Sequence, residues 1–144
     1  MNVDLVPTRN ALRLQGFSLF SYNHQIYLWA GSAPFQDNNK ISICKNNLTR
    51  FTGDAFEQLE QTGSIPAPRE YHTSCFFKNR YLIVMGGNNG QAFFNDWHIL
   101  DCAAMCWTEI LTNTTIHPTL NSLIFWHGGR GFLLTRETFD RQTR

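Results

Sequence analysis

Pro66-Ala67-Pro68-Arg69-Glu70-Tyr71-His72, then Tyr81-Leu82-Ile83-Val84-Met85-Gly86-Gly87, then Asn95-Asp96-Trp97-His98-Ile99-Leu100-Asp101, and finally Trp107: this ordered string decides the fold. It reads as one four-stranded β unit. Tyr81 to Met85 is a continuous apolar, β-rich run whose length suits a strand buried on both faces. Gly86-Gly87 ends the run, because a tight turn at a crowded centre needs positive φ and close backbone approach. Lys78-Asn79-Arg80 is a polar break between apolar runs and reads as a hairpin turn. Asn88-Asn89-Gly90-Gln91 opens a loop with strong turn residues.

Outward from this string the pattern recurs. Arg69 to Gly87 and Arg13 to Gly31 have the same spacing, so Ile26-Tyr27-Leu28-Trp29-Ala30-Gly31 lies under Leu82-Ile83-Val84-Met85-Gly86-Gly87. Asn38-Asn39-Lys40-Ile41-Ser42-Ile43 falls under Asn95 to Leu100 after a one-residue gap, and Phe56-Glu57-Gln58-Leu59 resembles Trp107-Thr108-Glu109-Ile110. The first unit then carries extra residues between Ile43 and Phe56, and Phe51 competes with Phe56 for the Trp107 place. A third unit starts near Pro118, with Ser122 to Trp126 and Phe132-Leu133-Leu134 fitting its first two strands. Expected strands lie near 15–21, 25–31, 39–44, 71–78, 81–87, 95–101 and 105–111. Phe56 to Gln61 is the one helix-like string, too short to be stable alone.

A period of roughly fifty residues marks a propeller array. Pro66-x-Pro68-Arg69-x-x-His72, the run ending in Gly86-Gly87, Asn95-Asp96 before an aromatic strand, and Trp107 together resemble a full kelch repeat. The first unit is similar but eroded: Gly16 replaces the His, Ala30 the first Gly, Cys44 stands at the Asp101 place and a Phe replaces the Trp. The resemblance implies an all-β chain of four-stranded antiparallel kelch-type β-propeller blades across residues 1–144. The first repeat runs over about 13–60, the best-matching second over 66–112, and a partial third over 118–136. A propeller needs at least about four blades to close, so the ring is incomplete. The expectation is a piece of a larger propeller, either of a longer chain or of a shortened gene; closure by oligomerisation is the alternative.

Composition bounds the function classes. The 144 residues suffice for one ordinary core. A net charge of +1 with no basic patch gives nucleic acid no electrostatic footprint. No apolar run reaches membrane-spanning length. Asp4 and Arg9 interrupt any signal-peptide core, so the expected location is cytoplasmic. The sequons at Asn47 and Asn113 then read as chance. Cys44, Cys75, Cys102 and Cys106 lack zinc-site spacing, and the five histidines are scattered, so no metal or other cofactor is expected.

Arg69, His72, Gly86, Gly87 and Trp107 are read as structural residues of the motif. The Arg69 fork should satisfy backbone carbonyls or a carboxylate between blades, with Glu70 or Asp101 as the candidate partner; contact with a ligand is the alternative. His72 should bond backbone or a neighbouring blade. The candidate partner-binding loops hold Phe35, Asn88, Asn89, Gln91, Phe93 and Phe94, because large apolar groups on loops of a rigid scaffold make interface anchors. The resemblance implies a non-enzymatic protein–protein interaction module or scaffold, with an unknown protein partner. The alternatives are a piece of an oxidase-like kelch enzyme, whose tyrosine, cysteine and histidine ligands form no recognisable cluster here, or of a ubiquitin-ligase substrate adaptor.

Overall fold

The computed structural model describes residues 14–33, 43–112 and 122–134. Eleven β-strands and no helix occur among them: β1 (Ser18–Tyr22), β2 (Gln25–Ala33), β3 (Ile43–Phe51), β4 (Phe56–Leu59), β5 (Thr62–Gly63), β6 (Thr73–Phe77), β7 (Tyr81–Met85), β8 (Trp97–Asp101), β9 (Cys106–Ile110), β10 (Leu123–His127) and β11 (Arg130–Leu134). They form three sheets, here called blades. Blade 1 is the antiparallel meander β1-β2-β3-β4. Blade 2 is the meander β6-β7-β8-β9, to whose outer edge β5 adds in parallel. Blade 3 is the hairpin β10-β11. Among the described residues the sheets do not close into a ring, as the all-β, incomplete-propeller expectation required.

The ladders fix where the repeat drifts. The β1–β2 turn holds two residues, Asn23 and His24, whereas the β6–β7 turn holds three, Lys78 to Arg80. Upstream of the turns the units are therefore one residue closer in register. The paired bridges Gln15–Ser32 and Glu70–Asn88 show it. Gly16 thus lies under Tyr71, and Phe17 under His72. Both Gly16 and Tyr71 adopt left-handed backbone, φ 63° and 53°, so glycine there serves a conformation that Tyr71 adopts despite its side chain. Leu14 takes the Arg69 place; Arg13 lies outside the described residues.

Further expectations are corrected. The third strand of blade 1 runs over Ile43–Phe51, and Leu48 sits opposite Trp29 as Trp97 sits opposite Met85. Asn46-Asn47, rather than Asn38-Asn39, therefore occupies the Asn95-Asp96 place, and the extra residues precede β3 instead of following it. Cys44 is the second residue of β3, opposite Ser32 and far along the strand from the Asp101 place, which Thr52 takes. Phe56 to Leu59 is strand, the element that its likeness to Trp107-Thr108-Glu109-Ile110 implied. Its four residues pair with β3, and a ladder outweighs the local propensity of Glu57 and Gln58. Phe56 faces Phe51 as Trp107 faces Leu100, which gives Phe56 the Trp107 place.

The core lies between blades. The rear face of blade 1 (Ser18, Phe20, Tyr27, Trp29) meets the front face of blade 2 (Ser74, Phe76, Leu82, Val84, Leu100, Trp107). Phe20 stacks between Tyr27 and Phe76, each at 5.4 Å, and Trp29 meets Trp107 at 4.8 Å. One side chain ties these indoles together: Gln61 Oε1 accepts from Trp29 Nε1 at 3.2 Å and Trp107 Nε1 at 2.8 Å. The Gln61 amide donates in turn to Asn46 O. A shared acceptor satisfies two buried donors that would otherwise each cost about 1–3 kcal/mol. Blade 3 repeats the contact on a smaller scale, with Trp126 stacked on Phe77 at 4.4 Å.

Candidate interaction face

The antiparallel meanders put the β2–β3 and β7–β8 connections at one end of the blades, together with the segments that lead into β1, β6 and β10. The β7–β8 loop, residues 86–96, is built from its own polar groups. The Asn88 Oδ1 atom accepts from Gly90 N, and Asn89 Oδ1 accepts from Gln91 N and Ala92 N. The Phe94 N–H donates to Gly87 O at 2.8 Å, and Asn88 bridges to both Glu70 and Phe93. These bonds are the short-range Asx type that pre-set a turn. A Cβ on Gly87 would lie 2.7 Å from Glu70 O, so this loop folds against the strand-leading segment only with glycine there.

The two loop phenylalanines part company. Phe93 projects outward and is 61% exposed. Phe94 folds back beneath Arg69, whose guanidinium lies 4.2 Å from the ring centroid. Arg69 itself is fully buried. Its Nε donates to Ala67 O at 3.0 Å and Nη1 to Gly86 O at 2.9 Å, and the fork pairs with Asp96 at 2.6 and 2.8 Å. The partner is therefore Asp96, not Glu70 or Asp101. Asp101 is taken by Arg80, whose hydrogen bonds hold its carboxyl down at about 2. Glu70 accepts from Ser32 Oγ and Gln15 Nε2 of blade 1.

Asp96 also contacts His98 Nε2 at 3.0 Å, while His98 Nδ1 reaches Ser64 O at 3.1 Å. Burial works to raise the Asp96 carboxyl, but hydrogen bonds from Arg69 and His98 outweigh it and hold the group well below the carboxylate range. The network joins three chain segments under the loop: the segment before β6, the loop end, and β8.

His72 bonds a neighbouring blade, as the sequence implied: its Nε2 lies 2.6 Å from Ser18 Oγ. The pair has the look of a nucleophile and its base, yet the chemistry is wrong for one. Burial, with Arg69 nearby, pushes the imidazole down to about 3, a poor base at neutral pH. Ser18 is buried and also bonds Ser74 Oγ at 2.7 Å, and His72 Nδ1 has no orienting partner among the described residues. The pair is an inter-blade clip. Beside it opens a groove of about 400 Å³ lined by Gly16, Phe17, Tyr71, His72, Ser122 and Leu123, two residues from each of the three blades.

The structure thus brings Asn88, Asn89, Gln91 and Phe93 into one loop and withdraws Phe94 into the Arg69 stack. Phe35 lies outside the described residues. The four cysteines are free thiols, and burial raises Cys102 to about 12. Gln61 and the groove residues Phe17 and Tyr71 went unread in the sequence. Gln61 sits in a linker without motif, and the groove exists only once three blades stand side by side.

Residues 7–134 match the family model for the KLHDC2/KLHL20/DRC7 Kelch-repeats domain. Kelch domain-containing protein 3 of Homo sapiens is 29% identical over 121 residues, which is 75% of this chain and 30% of that protein. Acyl-CoA-binding domain-containing protein 5 of Arabidopsis thaliana is 36% identical over 54 residues, 38% of this chain and 8% of that protein. A probable serine/threonine-protein kinase of Dictyostelium discoideum is 42% identical over 99 residues, 62% of this chain and 7% of that protein. The chain spans less than a third of the length of each of these relatives. No helix among the described residues is long and apolar enough to cross a membrane.

Proposed function

The chain belongs to the kelch-repeat family, and on that premise we propose that it is a non-enzymatic protein–protein interaction module, part of a propeller larger than three blades. Kelch domains bind proteins in general; the finer reading is that this one binds through the end that carries the β7–β8 loop. One observation carries it. Phe93 stands exposed on a loop whose backbone is fixed by Asn88 and Asn89, so an aromatic anchor is offered at low entropic cost. The side-chain amide nitrogens of Asn88 and Asn89 and the Gln91 side chain have no partner among the described residues and supply polar contacts around it. Free thiols fit a reducing compartment, which supports a cytoplasmic setting.

Affinity capture from extracts of the source cells, with the intact chain against Phe93→Ser, tests this face. The expected outcome is loss of one or more captured proteins from a variant whose circular dichroism is unchanged. An unchanged set of captured proteins from the folded variant rejects the face. Phe94→Ser is the wrong probe, because it also strips the ring from the buried Arg69.

A further inference from the structure

We propose that Asn89 is a site of self-modification: in the folded chain the Gly90 backbone nitrogen attacks the Asn89 side-chain amide, and the asparagine ages to aspartate and isoaspartate. Asn89-Gly90 is the only Asn-Gly pair in the sequence, and every other asparagine precedes a residue with a side chain. The reaction closes a ring between a side-chain carbonyl carbon and the nitrogen of the next residue, so a side chain on that next residue hinders it. Gly90 has none, and a Cβ on it would meet nothing within 4 Å. Gly90 is exposed and Asn89 half-buried, so water and base reach the nucleophile.

The loop arms the carbonyl. Asn89 Oδ1 accepts from the Gln91 N–H at 3.0 Å and from the Ala92 N–H at 2.8 Å. Negative charge collects on Oδ1 as the nitrogen adds to Cγ, and fixed backbone donors aimed at a developing oxyanion lower the barrier. The leaving nitrogen, Nδ2, has no partner among the described residues. Water is the sole co-reactant. The Gly90 N–H gives its proton to a solvent base, the bond from Gly90 N to Asn89 Cγ forms, the Cγ–Nδ2 bond breaks, and ammonia leaves after taking a proton from solvent. Water then opens the succinimide. Attack at Cγ leaves an aspartate in the normal chain. Attack at the backbone carbonyl carbon leaves isoaspartate, with the main chain running through Cβ and Cγ.

One contact is the brake. The Gly90 N–H donates to Asn88 Oδ1 at 3.0 Å. An amide nitrogen is a poor nucleophile while it keeps its proton, because its lone pair is delocalised into the carbonyl. Asn88 holds that proton in place, so release of this bond sets the rate. Isoaspartate lengthens the chain within the Asn89–Ala92 turn, where the Asn89 N–H also donates to Ala92 O at 3.2 Å. Ageing therefore alters the loop that displays Phe93. That consequence rests on the loop-face reading; the chemistry at Asn89 does not.

Peptide mass spectrometry on the intact, folded chain incubated at mildly alkaline pH tests this. The gain in mass from amide to acid is expected at Asn89 ahead of every other asparagine, with isoaspartate in the product. Asn89→Gln should abolish it, since the longer side chain closes a larger ring more slowly. Asn88→Ala frees the Gly90 N–H and should speed conversion roughly five-fold, the worth of one net hydrogen bond. Asn88→Asp keeps an acceptor and should be no faster than wild type. Circular dichroism checks the fold of each variant, and the wild-type measurement decides the site without them. Conversion led by another asparagine, conversion of Asn89 only in denaturant, or equal rates in wild type and folded Asn88→Ala overturns the proposal. None of these readouts involves capture through Phe93, so the loop-face reading stands or falls separately.

Discussion

Blades 1 and 2 share strand order and ladder, yet among the described residues only blade 2 buries a charged network. Where blade 2 has Arg69, Asp96 and Trp107, blade 1 has Leu14, Asn47 and Phe56. Both keep the second glycine of the turn, Gly31 and Gly87, at φ 87° and 90°. A Cβ would collide with backbone oxygen at 2.7 Å in each. The strand pattern and that glycine therefore suffice to make a blade. The ion pair does something else. A buried pair adds little net stability, because desolvation offsets attraction, but it is geometrically demanding. Here it fixes the β7–β8 loop to the segment before β6, on the end where Phe93 is displayed.

The comparison is broken most severely at the tryptophan. Trp107→Ala removes the ring that meets Trp29 and should cost about 3–5 kcal/mol in denaturant unfolding. Phe56→Ala, at the same register position but on a half-buried face, should cost less than half as much. Asp96→Ala strands Arg69 in the interior and should cost about 3 kcal/mol. Its blade 1 counterpart, Asn47→Ala, should stay under about 1 kcal/mol, and a larger value would mean that blade 1 holds an equivalent lock. Gln61→Leu leaves two indole N–H groups without their acceptor and should cost about 2 kcal/mol, which thermal melts would register.

The remaining effect is a pH slope. The His72 imidazole, lowered by burial and by Arg69 from 6.5 to about 3, stays neutral in the fold while the unfolded chain takes up a proton below 6.5. Stability from this group is full above pH 6.5 and is lost as pH falls toward 3, by up to about 1.4 kcal/mol per unit. The Asp96 carboxyl, held low, adds a further loss only once pH falls below its ordinary 3.8. Unfolding midpoints between pH 7 and 4 should decline in the native chain and flatten in His72→Gln. Equal slopes in the two would place the acid sensitivity elsewhere.

The apolar run Tyr81–Met85 with its Gly-Gly stop, the polar hairpin turns and the fifty-residue period were enough to establish strands, antiparallel blades and the family. Such signals are local, and each is repeated, so errors in one copy are corrected by the other. The partner of Arg69 was not legible. Glu70 and Asp101 are as plausible by charge as Asp96, and only the turn after Gly86 and Gly87 brings Asp96 under the guanidinium. Phe56 to Gln61 looked helix-like for a related reason: a six-residue string has no strong preference of its own until β3 offers its first four residues a ladder. The drift of the repeat was hidden as well, since a one-residue difference in hairpin length leaves no trace in composition. Sequence by itself determined what each segment is, because periodicity and glycine act within a few residues. Tertiary structure alone decided which side chains meet across fifty residues: Gln61 between two indoles, Ser18 on His72, Phe94 under Arg69 with Phe93 left out. Those choices depend on blade-to-blade stacking, which no local pattern encodes.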